Sequence, residues 1–475
     1  LVVGEFAYKF KKAVNLGFLD FSTLDRRRHF CERELEFNQR YAPDLYIDVV
    51  PITGSAAGPR MGNGGTVIEY AVRMRRFAAD ATLDVEVEND RITENDITAF
   101  GRTLATIHEQ APVASITTGY GDVDLVTAQI DNAFEHLCDI PEAAQMRQII
   151  RAMTDDCRAA LASRQSEGHV RDCHGDLHLS NIVRLESGMY PFDCIEFDDQ
   201  LRFIDTVSDM AFVLMDLDVR GRHDLGNAFL NAYLGASGDF AGLNVLRLYA
   251  IYRSVVRAKV AHLQSLQASN SDHLRARRNT HLSLAARYLN SELSPGLIIT
   301  HGVSASGKSY ISRDLARRYG YIHLRSDVER KRLAGLAPNA DSGSGRGSGI
   351  YSEDFSDQTY RRLLDLGRSA LANGYSVIVD ATFLERRWRE AFCQLAHAAG
   401  QPFHIVHCEQ DDAILRKRLE RRRTEGDTVS EATPEILEWQ MANGEALAED
   451  ELEWRVGAEH AKGELDPGRW GRRRI

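Results

Sequence analysis

A glycine-rich stretch late in the chain carries the most specific chemical signal of the sequence. Residues 302–309 read Gly-Val-Ser-Ala-Ser-Gly-Lys-Ser, which is a complete phosphate-binding P-loop pattern. An apolar run precedes this stretch and a helical pattern follows it, so that backbone N–H groups at the start of a helix can converge on phosphate. A glycine-rich loop without a ligand is the alternative, and the flanking strand and helix argue against it.

The P-loop pattern predicts which residues bind nucleotide phosphate. They are Gly302, Ser304, Ala305, Ser306, Gly307, Lys308 and Ser309. In such a loop the lysine reaches the β- and γ-phosphates, and the serine hydroxyl ligates Mg²⁺. Asp380 ends an apolar strand candidate at 375–380, where an aspartate can organise Mg²⁺ and water. We therefore expect ATP, with GTP as an alternative, and Mg²⁺ as the cofactors.

A second group of residues, in the N-terminal half, has the spacing of a kinase catalytic loop. Asp176 is followed five residues later by Asn181, and Asp193 comes twelve residues after that on a short strand candidate. In kinases the first aspartate orients the acceptor hydroxyl, while the asparagine and the second aspartate bind Mg²⁺. Taken singly, these are ordinary loop residues. The histidines at 174 and 178 suggest a metal site around Asp176 as the alternative.

These residues, together with 16–21, 194–197 and 209–212, make the sequence resemble a bacterial group of fusion proteins. In that group a domain of the aminoglycoside phosphotransferase and choline kinase type, which has the protein-kinase-like fold, precedes a P-loop kinase domain. The P-loop domain is of the gluconate kinase, polynucleotide kinase or zeta toxin type. The resemblance implies an N-terminal α+β domain with a small sheet lobe and a helical lobe. It implies a C-terminal α/β domain with a parallel sheet and an arginine-bearing lid.

By position, the resemblance implies roles for residues of the N-terminal domain. Asp176 would be the catalytic aspartate, with Asn181 and Asp193 as the metal ligands. Asp209 resembles the aspartate that braces the catalytic loop, and a plain helix cap is its alternative. The candidate for the lysine that binds phosphate is Lys9, with Lys11 on the same strand face. The candidate for its helix partner is Glu34, with Glu32 as alternative. Glu69 and Ala71 are the candidates for a hinge that binds adenine through its backbone.

The same resemblance implies roles in the C-terminal domain. Asp327 follows a strand candidate at 321–324 and would accept the proton of the acceptor hydroxyl. Capping of the next helix is its structural alternative, and both roles can hold. The lid would supply arginines to the transferring phosphate, and we select Arg418 and Arg422 because residues four apart share a helical face. A solvated helix face is the alternative for the basic run at 416–423.

One departure from the kinase pattern lies at the N-terminus. Residues 2–11 form a strand candidate in which Gly4 is the single glycine available for a loop that covers phosphate. Either a preceding strand lies outside the sequence, or the nucleotide is held differently. The first residue, Leu1 rather than Met, is what we expect if a few N-terminal residues are absent.

The composition limits the classes of function. Of 475 residues, 43% are hydrophobic and 27% are charged, which is typical of a soluble globular protein. The formal charge of -11 does not favour nucleic acid, and no stretch approaches the roughly 20 apolar residues of a membrane span. Seven scattered cysteines without a Cys-x-x-Cys motif, and no visible secretory signal, predict a cytoplasmic protein.

A polar segment with a Pro-Gly pair divides the chain. It follows a long helical region at about residues 243–289. We therefore expect a kinase-like domain at 1–290, a linker at 291–296 and a P-loop kinase domain at 297–475.

Strands and helices alternate in the second domain. Besides 321–324 and 375–380, strand candidates lie at 297–301 and 403–407, which predicts a parallel sheet covered by helices. The Gly/Ser-rich segment at 338–349 is a substrate-gating loop or a surface insertion.

The predicted function is transfer of the γ-phosphoryl of ATP to a hydroxyl of a small-molecule acceptor, with two candidate active sites. The alternatives are a P-loop kinase or ATPase regulated by a non-catalytic kinase-like domain, and a toxin-like or protein-directed kinase. We expect no nucleic-acid or membrane partner. The sequence does not indicate the acceptor or the oligomeric state. Arg253, Arg257 and Lys259 lie on an apolar helix and could bind an anionic substrate, although structural ion pairs are the commoner explanation.

Overall fold

The computed structural model describes residues 1–15, 20–62, 64–290, 295–338, 340–344, 347–425 and 431–459, with the side chains of 422–425 outside the description. Contacts divide the chain into two compact units. The first unit contains Leu1–Gly221 and Val245–Leu289, and the second contains Arg222–Asn244 and Asn290–Ile475. The domain boundary at 291–296 stays a prediction. The structure adds that Arg222–Asn244, which the prediction placed in the first domain, groups with the P-loop half.

The elements up to residue 290 combine a small sheet with many helices. The strands are β1 (Val2–Val3), β2 (Phe6–Phe10), β3 (Tyr46–Ser55), β4 (Gly58–Met61), β5 (Val67–Arg75), β6 (Val170–Asp172), β7 (Ile182–Leu185), β8 (Gly188–Pro191) and β9 (Phe203–Asp205). The helices are α1 (Leu24–Asn38), α2 (Leu83–Glu88), α3 (Glu94–Gln110), α4 (Val123–Glu135), α5 (Pro141–Asp156), α6 (Arg158–Ser166), α7 (Asp199–Arg202), α8 (Thr206–Val219), α9 (His223–Ser237), α10 (Leu243–Gln267) and α11 (Asp272–Asn290).

The N-terminal sheet has the order β1-β2-β5-β3-β4, and its strand pairs are antiparallel. The strand predicted at 2–11 is instead a hairpin, because the chain turns at Gly4, whose φ of +58° suits glycine. Helix α1 packs against β5 and β3. Its buried positions are Arg27, Cys31, Glu34 and Asn38. This spacing marks one helical face, and most of the buried face is polar.

The helical lobe of the first unit follows β5. Helix α8 is buried along nearly its whole length, and much of α10 is buried with it. The long helical region predicted at 243–289 is two helices, α10 and α11, separated at 268–271. The expected α+β fold with a small sheet lobe and a helical lobe is confirmed.

The second unit alternates strand and helix, as predicted. Its later elements are β10 (Leu297–His301), α12 (Lys308–Tyr319), β11 (Ile322–Arg325), α13 (Ser326–Leu333), α14 (Glu353–Ala372), β12 (Val377–Asp380), α15 (Arg386–Ala398), β13 (Phe403–His407), α16 (Asp412–Glu425), α17 (Pro434–Asn443) and β14 (Arg455–Gly457). The sheet order is β11-β12-β10-β13-β14, and the pairs are parallel. Parallel strands present their carboxyl ends at one edge, which is where ligands bind in open α/β sheets.

Helix α9 explains why a segment from the middle of the chain groups with the second unit. It packs against α12. The Asn231 side chain donates to the Tyr321 carbonyl at 2.9 Å and accepts the His323 N–H at 2.7 Å. These bonds cover the outer edge of β11, so that the edge of the sheet is satisfied by a side chain. Within the described ranges, no helix is both long and apolar enough to cross a membrane.

Candidate active sites

The P-loop lies at the carboxyl edge of the second sheet, between β10 and α12. Gly302 and Gly307 have φ values of +139° and +105°, which favour glycine. A Cβ at Gly302 would lie 2.3 Å from the Cys408 carbonyl oxygen, so no side chain fits there. Gly307 caps α12, and Lys308 is its first residue. The turn therefore brings backbone N–H groups to the start of a helix, as phosphate binding requires.

Two side chains show that the loop suits a polyanionic ligand. The Ser306 hydroxyl is buried and has no hydrogen-bond partner among the described residues. The Lys308 ammonium donates to the Val303 carbonyl at 2.7 Å, across the loop itself. A buried polar atom without a partner and a lysine folded over the loop are the groups that nucleotide phosphates would contact. The residues present therefore fit a nucleotide.

Asp380 at the end of β12 lies beside the P-loop serine. Its carboxylate contacts the Ser309 hydroxyl and lies 3.2 Å from His323 Nε2. Burial alone would raise the pKa of Asp380, but the hydrogen bond and charge of His323 lower it to about 2. The side chain is thus a carboxylate, and with Ser309 it offers the hard oxygen ligands that Mg²⁺ prefers.

A cavity of about 540 Å³ opens from the P-loop. Lys308, Ser309, Asp327 and Asp380 line it together, which is how the structure brings the predicted catalytic residues to one site. Its other walls include Arg330, Tyr351, Tyr360, Glu385, Trp439 and Gln440. Burial raises the pKa of Asp327, and the positive charges of its arginine neighbours only partly oppose this shift. A raised pKa suits a carboxylate that accepts a proton near neutral pH. The volume is in the range of small-molecule sites, about 300–1,000 Å³.

Of the two predicted lid arginines, the structure describes the side chain of Arg418 only. Arg418 reaches the P-loop, where Nη1 donates to the Ala305 carbonyl at 3.0 Å. It lines a second cavity of about 340 Å³ with Tyr310, Gln410 and Arg421, on another side of the loop from the acceptor-sized cavity. The Arg422 side chain lies outside the described residues. Arg416 pairs with Asp412 and Glu438 at the surface, as the solvated-face alternative expects for part of this run.

The kinase-like loop of the first unit holds Asp176 between β6 and β7. Asn181 Nδ2 donates to the Asp176 carbonyl at 2.9 Å and lies 3.4 Å from its carboxylate. Burial alone would raise the pKa of Asp176, but His178, 3.4 Å away, and the Arg257 guanidinium hold it well below its usual range. Asp176 is therefore ionised and able to accept a hydrogen bond from a hydroxyl group.

The structure argues against His174 as a metal ligand, because both of its ring nitrogens are already hydrogen-bonded. The imidazole Nε2 donates to the Phe192 carbonyl at 2.9 Å, and Nδ1 accepts the Asp176 N–H at 3.3 Å. Both ring nitrogens are thus engaged with backbone. Asp209 accepts the N–H groups of His174 and Gly175 at 3.1 and 3.0 Å, which is the bracing arrangement that the resemblance implies. The cap of α8 is Asp205 rather than Asp209.

The buried polar face of α1 connects the small lobe to the metal-ligand candidate Asp193. Glu34 Oε1 lies 2.8 Å from Lys9 Nζ, and Lys9 also contacts Asp193. Asn38 accepts the Cys194 N–H at 3.0 Å. Asp193 has a φ of +63°, a strained backbone that such contacts must hold in place. The structure thus joins the predicted Lys9, Glu34 and Asp193 in one cluster. Glu32 instead pairs with Arg28 at the surface.

A second lysine in this cluster was only partly anticipated. Lys11 is buried and contacts both Glu34 and Glu196. Burial raises the pKa of Glu196, and the positive charge of Lys11 opposes this shift. The sequence signal for Lys11 was its alternation with Lys9 on one strand. Glu196 had no signal of its own beyond its place three residues after Asp193.

The predicted hinge is corrected by the structure. Glu69 and Ala71 lie inside β5, where Ala71 is paired with Phe10 of β2 and with Val50 of β3. Their backbone is therefore part of the sheet and is not at the connection between the lobes, which follows Arg75. The Glu69 carboxylate pairs with Arg27 of α1 at 2.8 Å.

Other residues that sequence reasoning missed complete the sites. Gln440 of α17 accepts the Ser304 N–H at 2.7 Å, and His323 orients Asp380. Gln440 lies far from the P-loop in sequence, His323 lies 57 residues from Asp380, and neither belongs to a motif. Two of the three basic residues singled out on α10 are structural, since Arg253 donates to the Ser208 carbonyl at 3.1 Å and Lys259 donates to Asn132.

The fold and the two groups of site residues define a protein that joins a unit with a kinase-like loop to a unit with a P-loop. A model of the phosphotransferase enzyme family matches residues 26–249, and a model described as an AAA domain matches residues 297–447. The predicted fusion of a kinase-like domain with a P-loop domain is thereby confirmed, and a phosphotransferase is supported at a general level.

Relatives match nearly the whole chain. Uncharacterized protein Rv2004c of Mycobacterium tuberculosis and Uncharacterized protein Mb2027c of Mycobacterium bovis are each 29% identical over 464 residues, covering 96% of this chain and 89% of the relative. A choline/ethanolamine kinase family protein from Mesorhizobium loti is similar over 61% of this chain and 84% of that chain, at 14% identity and a TM-score of 0.39. A gluconokinase from Sinorhizobium meliloti 1021 is similar over 34% of this chain and 82% of that chain, at 20% identity and a TM-score of 0.25.

Proposed function

We propose that the protein is an ATP-dependent phosphotransferase whose second unit phosphorylates a hydroxyl of a small-molecule acceptor. The observation that carries this proposal is the shared cavity of Lys308, Ser309, Asp327 and Asp380. A phosphate-binding lysine, a pair of Mg²⁺ ligands and a carboxylate with a raised pKa are the parts that phosphoryl transfer needs. A nucleotide hydrolase alone would not explain the acceptor-sized space beside them.

In the proposed reaction the acceptor hydroxyl lies against Asp327, and the nucleotide phosphates lie in the P-loop. The hydroxyl oxygen forms a bond to the γ-phosphorus, and the bond from that phosphorus to the oxygen bridging it to the β-phosphate breaks, which leaves ADP. The hydroxyl proton passes to the Asp327 carboxylate. Lys308 neutralises charge on the β- and γ-phosphates, and Ser309 and Asp380 would hold Mg²⁺, which supplies charge neutralisation when bound. Arg418 is placed to hold the P-loop closed around the nucleotide.

We further propose that the first unit is a second active site with Asp176, Asn181 and Asp193 in the kinase roles. Lys9 would contact ATP phosphate while Glu34 orients it. The competing function, a kinase-like unit that binds a ligand and regulates the P-loop unit, is favoured by the β1–β2 hairpin, whose turn holds one glycine, Gly4. None of the seven cysteines, all of which lie in the described ranges, forms a disulfide bond, which supports the proposed cytoplasmic location.

The test is a screen of metabolites for ATP-dependent mass gain of one phosphate, run on the full chain and on two variants. Lys308→Ala is expected to abolish the products of the second unit, and Asp176→Asn those of the first. Lys417→Ala and Asp124→Asn, both at exposed positions, are matched controls and are expected to leave every product unchanged. A Lys308→Ala protein that phosphorylates all acceptors at the parental rate would contradict the proposed role of the P-loop.

The variant Asp176→Asn separates the two proposals for the first unit. Loss of one product with the others retained supports two catalytic sites. Retention of every product, with ligand binding to the first unit intact, supports a regulatory unit. Label from radioactive ATP that enters proteins rather than small molecules would replace the small-molecule acceptor with a protein acceptor. Comparison of ATP with GTP in the same screen identifies the donor.

A further inference from the structure

Three arginines surround one carboxylate beside the catalytic loop of the first unit. Arg220 lies at the end of α8, Arg257 on α10 and Arg277 on α11; these three are called the arginine cluster below. The carboxylate is Asp216 of α8, which accepts the Leu179 N–H at 2.9 Å. Because Leu179 is three residues from Asp176, the arginine cluster lies next to the proposed catalytic aspartate.

The positive charges of the arginine cluster are only partly matched within the described part of the chain. Arg220 contacts Asp216, and its Nε lies 3.8 Å from the exposed Glu88 carboxylate. Arg277 donates to the neutral Gln264 side chain at 2.9 Å. Arg257 forms no ion pair with any described residue, and its buried Nε has no hydrogen-bond partner. Within the described part of the chain, two of the three guanidinium groups thus form no ion pair.

The pKa shifts of Arg277 and His281 agree with this arrangement. Burial lowers the pKa of Arg277, and the positive charges of Arg257 and Arg220 lower it further, against the opposing effect of Asp216. Burial lowers the pKa of His281 to about 4, and the arginine cluster contributes to this shift. His281 is therefore neutral at pH 7. The cluster concentrates three positive charges beside the carboxylates of Asp216 and Asp176.

The neighbouring basic residues of α10 show what a structural role looks like there. Arg253, one turn before Arg257, donates to the Ser208 carbonyl at 3.1 Å and stacks over the Phe212 ring at 4.5 Å. Lys259, two residues after Arg257, donates to Asn132 Oδ1 at 2.7 Å. Arg257 lies between them and has no such contacts. Its guanidinium instead lies within electrostatic range of Asp176 and Asp216.

We propose that the acceptor of the first unit carries an anionic group, a carboxylate or a phosphate, which Arg257 and Arg277 bind while the acceptor hydroxyl lies at Asp176. This inference rests on the proposed function of the first unit. An oxyanion matches the fork of N–H donors in a guanidinium, and two such forks select it over neutral and cationic analogues. The hydroxyl oxygen would form the new bond to the γ-phosphorus, ADP would leave, and the proton would pass to Asp176.

The test measures binding and turnover of acceptors that differ only in charge. Two sets share a carbon skeleton: glycerol, glycerate and glycerol 3-phosphate, and glucose, glucosamine, gluconate and glucose 6-phosphate. Inorganic phosphate serves as a probe without a skeleton. The full chain carries Lys308→Ala so that products of the P-loop unit are removed, and it is saturated with a non-hydrolysable ATP analogue and Mg²⁺ for calorimetric titration. Comparison of carboxylates with phosphates distinguishes the two sources of anion.

We expect at least one of these anions to bind, its neutral counterpart to bind at least tenfold more weakly, and Arg257→Gln to weaken the anion about tenfold or more. Arg277→Gln, at an exposed position, is expected to act in the same direction without affecting folding. The matched control Arg275→Gln lies on the same helix but on another face and is expected to change nothing. Absence of binding by every anion, or binding that Arg257→Gln leaves unchanged, overturns the proposal.

Failure of the anion site and failure of the catalytic proposal give different results. If an anion binds through Arg257 but ATP-dependent phosphorylation never depends on Asp176, the anion site stands and the catalytic role of the first unit falls. If a neutral acceptor is phosphorylated in an Asp176-dependent reaction that Arg257→Gln does not affect, the catalytic role stands and the anion site falls.

Discussion

Replacement of Lys11 by methionine is expected to destabilise the first unit, whereas the same replacement of Lys9 is expected to impair phosphoryl transfer. Both lysines contact Glu34. The Lys9 side chain is 36% exposed, and its other partner, Asp193, is 41% exposed, so water can replace part of their pairing. The Lys11 side chain is 6% exposed and lies between Glu34 and Glu196, whose side chains are 0% and 6% exposed. Lys9 therefore lies on the exposed side of the cluster, where it can contact a nucleotide, and Lys11 stabilises the cluster from its buried side.

The expected loss in the free energy of unfolding follows from the carboxylate that has no cationic partner in Lys11→Met. Glu196 must remain ionised beside Glu34 in a buried place, or it must take up a proton when the unit folds. A carboxyl group with an unfolded-state pKa of about 4.3 is protonated at pH 7 at a cost of about 3.7 kcal/mol, since each pH step is worth about 1.36 kcal/mol. This value is within the loss of about 3–5 kcal/mol typical of breaking a buried ion pair.

The loss has a definite pH dependence. The folded variant then binds one proton more than the unfolded chain between about pH 4.3 and 7, so its stability rises as the pH falls. At pH 5 the same protonation costs about 1 kcal/mol. The difference between Lys11→Met and the parent is therefore expected to shrink by about 2.7 kcal/mol from pH 7 to pH 5.

The assay can separate the two units because every tryptophan of the chain lies at or after residue 388. Tryptophan fluorescence thus reports the second unit, while hydrogen exchange of α1 amides reports the first. We expect Lys11→Met to lower the unfolding midpoint of the first unit by roughly 10 °C and to leave the fluorescence transition unchanged. The double variant Lys11→Met/Glu196→Gln should regain at least half of the loss, and exposed Lys12→Met is the control. Parental exchange in Lys11→Met, or no recovery in the double variant, would refute the argument.

Three further predictions concern other parts of the sites. Asp327→Asn is expected to lower kcat of the second unit by about 10²–10⁴ with little change in the KM for ATP, which steady-state kinetics measures against exposed Asp365→Asn. Asp209→Asn removes one acceptor for the N–H groups of His174 and Gly175, so we expect a stability loss of about 2 kcal/mol in the first unit, and parental exchange of those amides would contradict this. Burial and His407 lower the pKa of His301 to about 4. Because this pKa is below that of a histidine in the unfolded chain, neutral His301 contributes fully to the free energy of unfolding above about pH 6.5. The contribution, about 3 kcal/mol, is lost as the pH falls toward 4. Fluorescence-detected unfolding measures this loss, and His301→Gln should flatten the pH profile.

The sequence predicted the site residues that chain-local motifs define. Lys308 and Ser309 are fixed by the glycine spacing of the P-loop, and Asp176 and Asn181 by the spacing of one loop. Each motif is a single turn whose geometry follows from neighbouring residues. The strands of this sheet were also predicted correctly, because its two central strands, β10 and β12, are fully buried and are mostly apolar.

The hinge was wrong for a reason that applies to strands in general. Apolar and polar residues alternate at the end of β5, from Val72 to Arg75, but such a pattern does not show where pairing with neighbouring strands stops. The prediction placed the hinge at Glu69 and Ala71, whereas β2 continues to pair with β5 up to Arg75. Gln440 and His323 could not be found from the sequence, because their contacts join segments that are more than fifty residues apart.

The course of the chain decides how the two sites can be studied separately. It enters the second unit at Arg222, returns to the first unit at Val245 and enters the second again at Asn290. The segment from Arg222 to Asn244 contains helix α9, whose Asn231 side chain is hydrogen-bonded to the backbone of Tyr321 and His323. A fragment that begins at the linker would leave those groups of the β11 edge unpaired, two residues before Arg325 and the helix that carries Asp327. Because the groups of each site come from one unit, point substitutions in the full chain can silence one site and preserve the scaffold of the other.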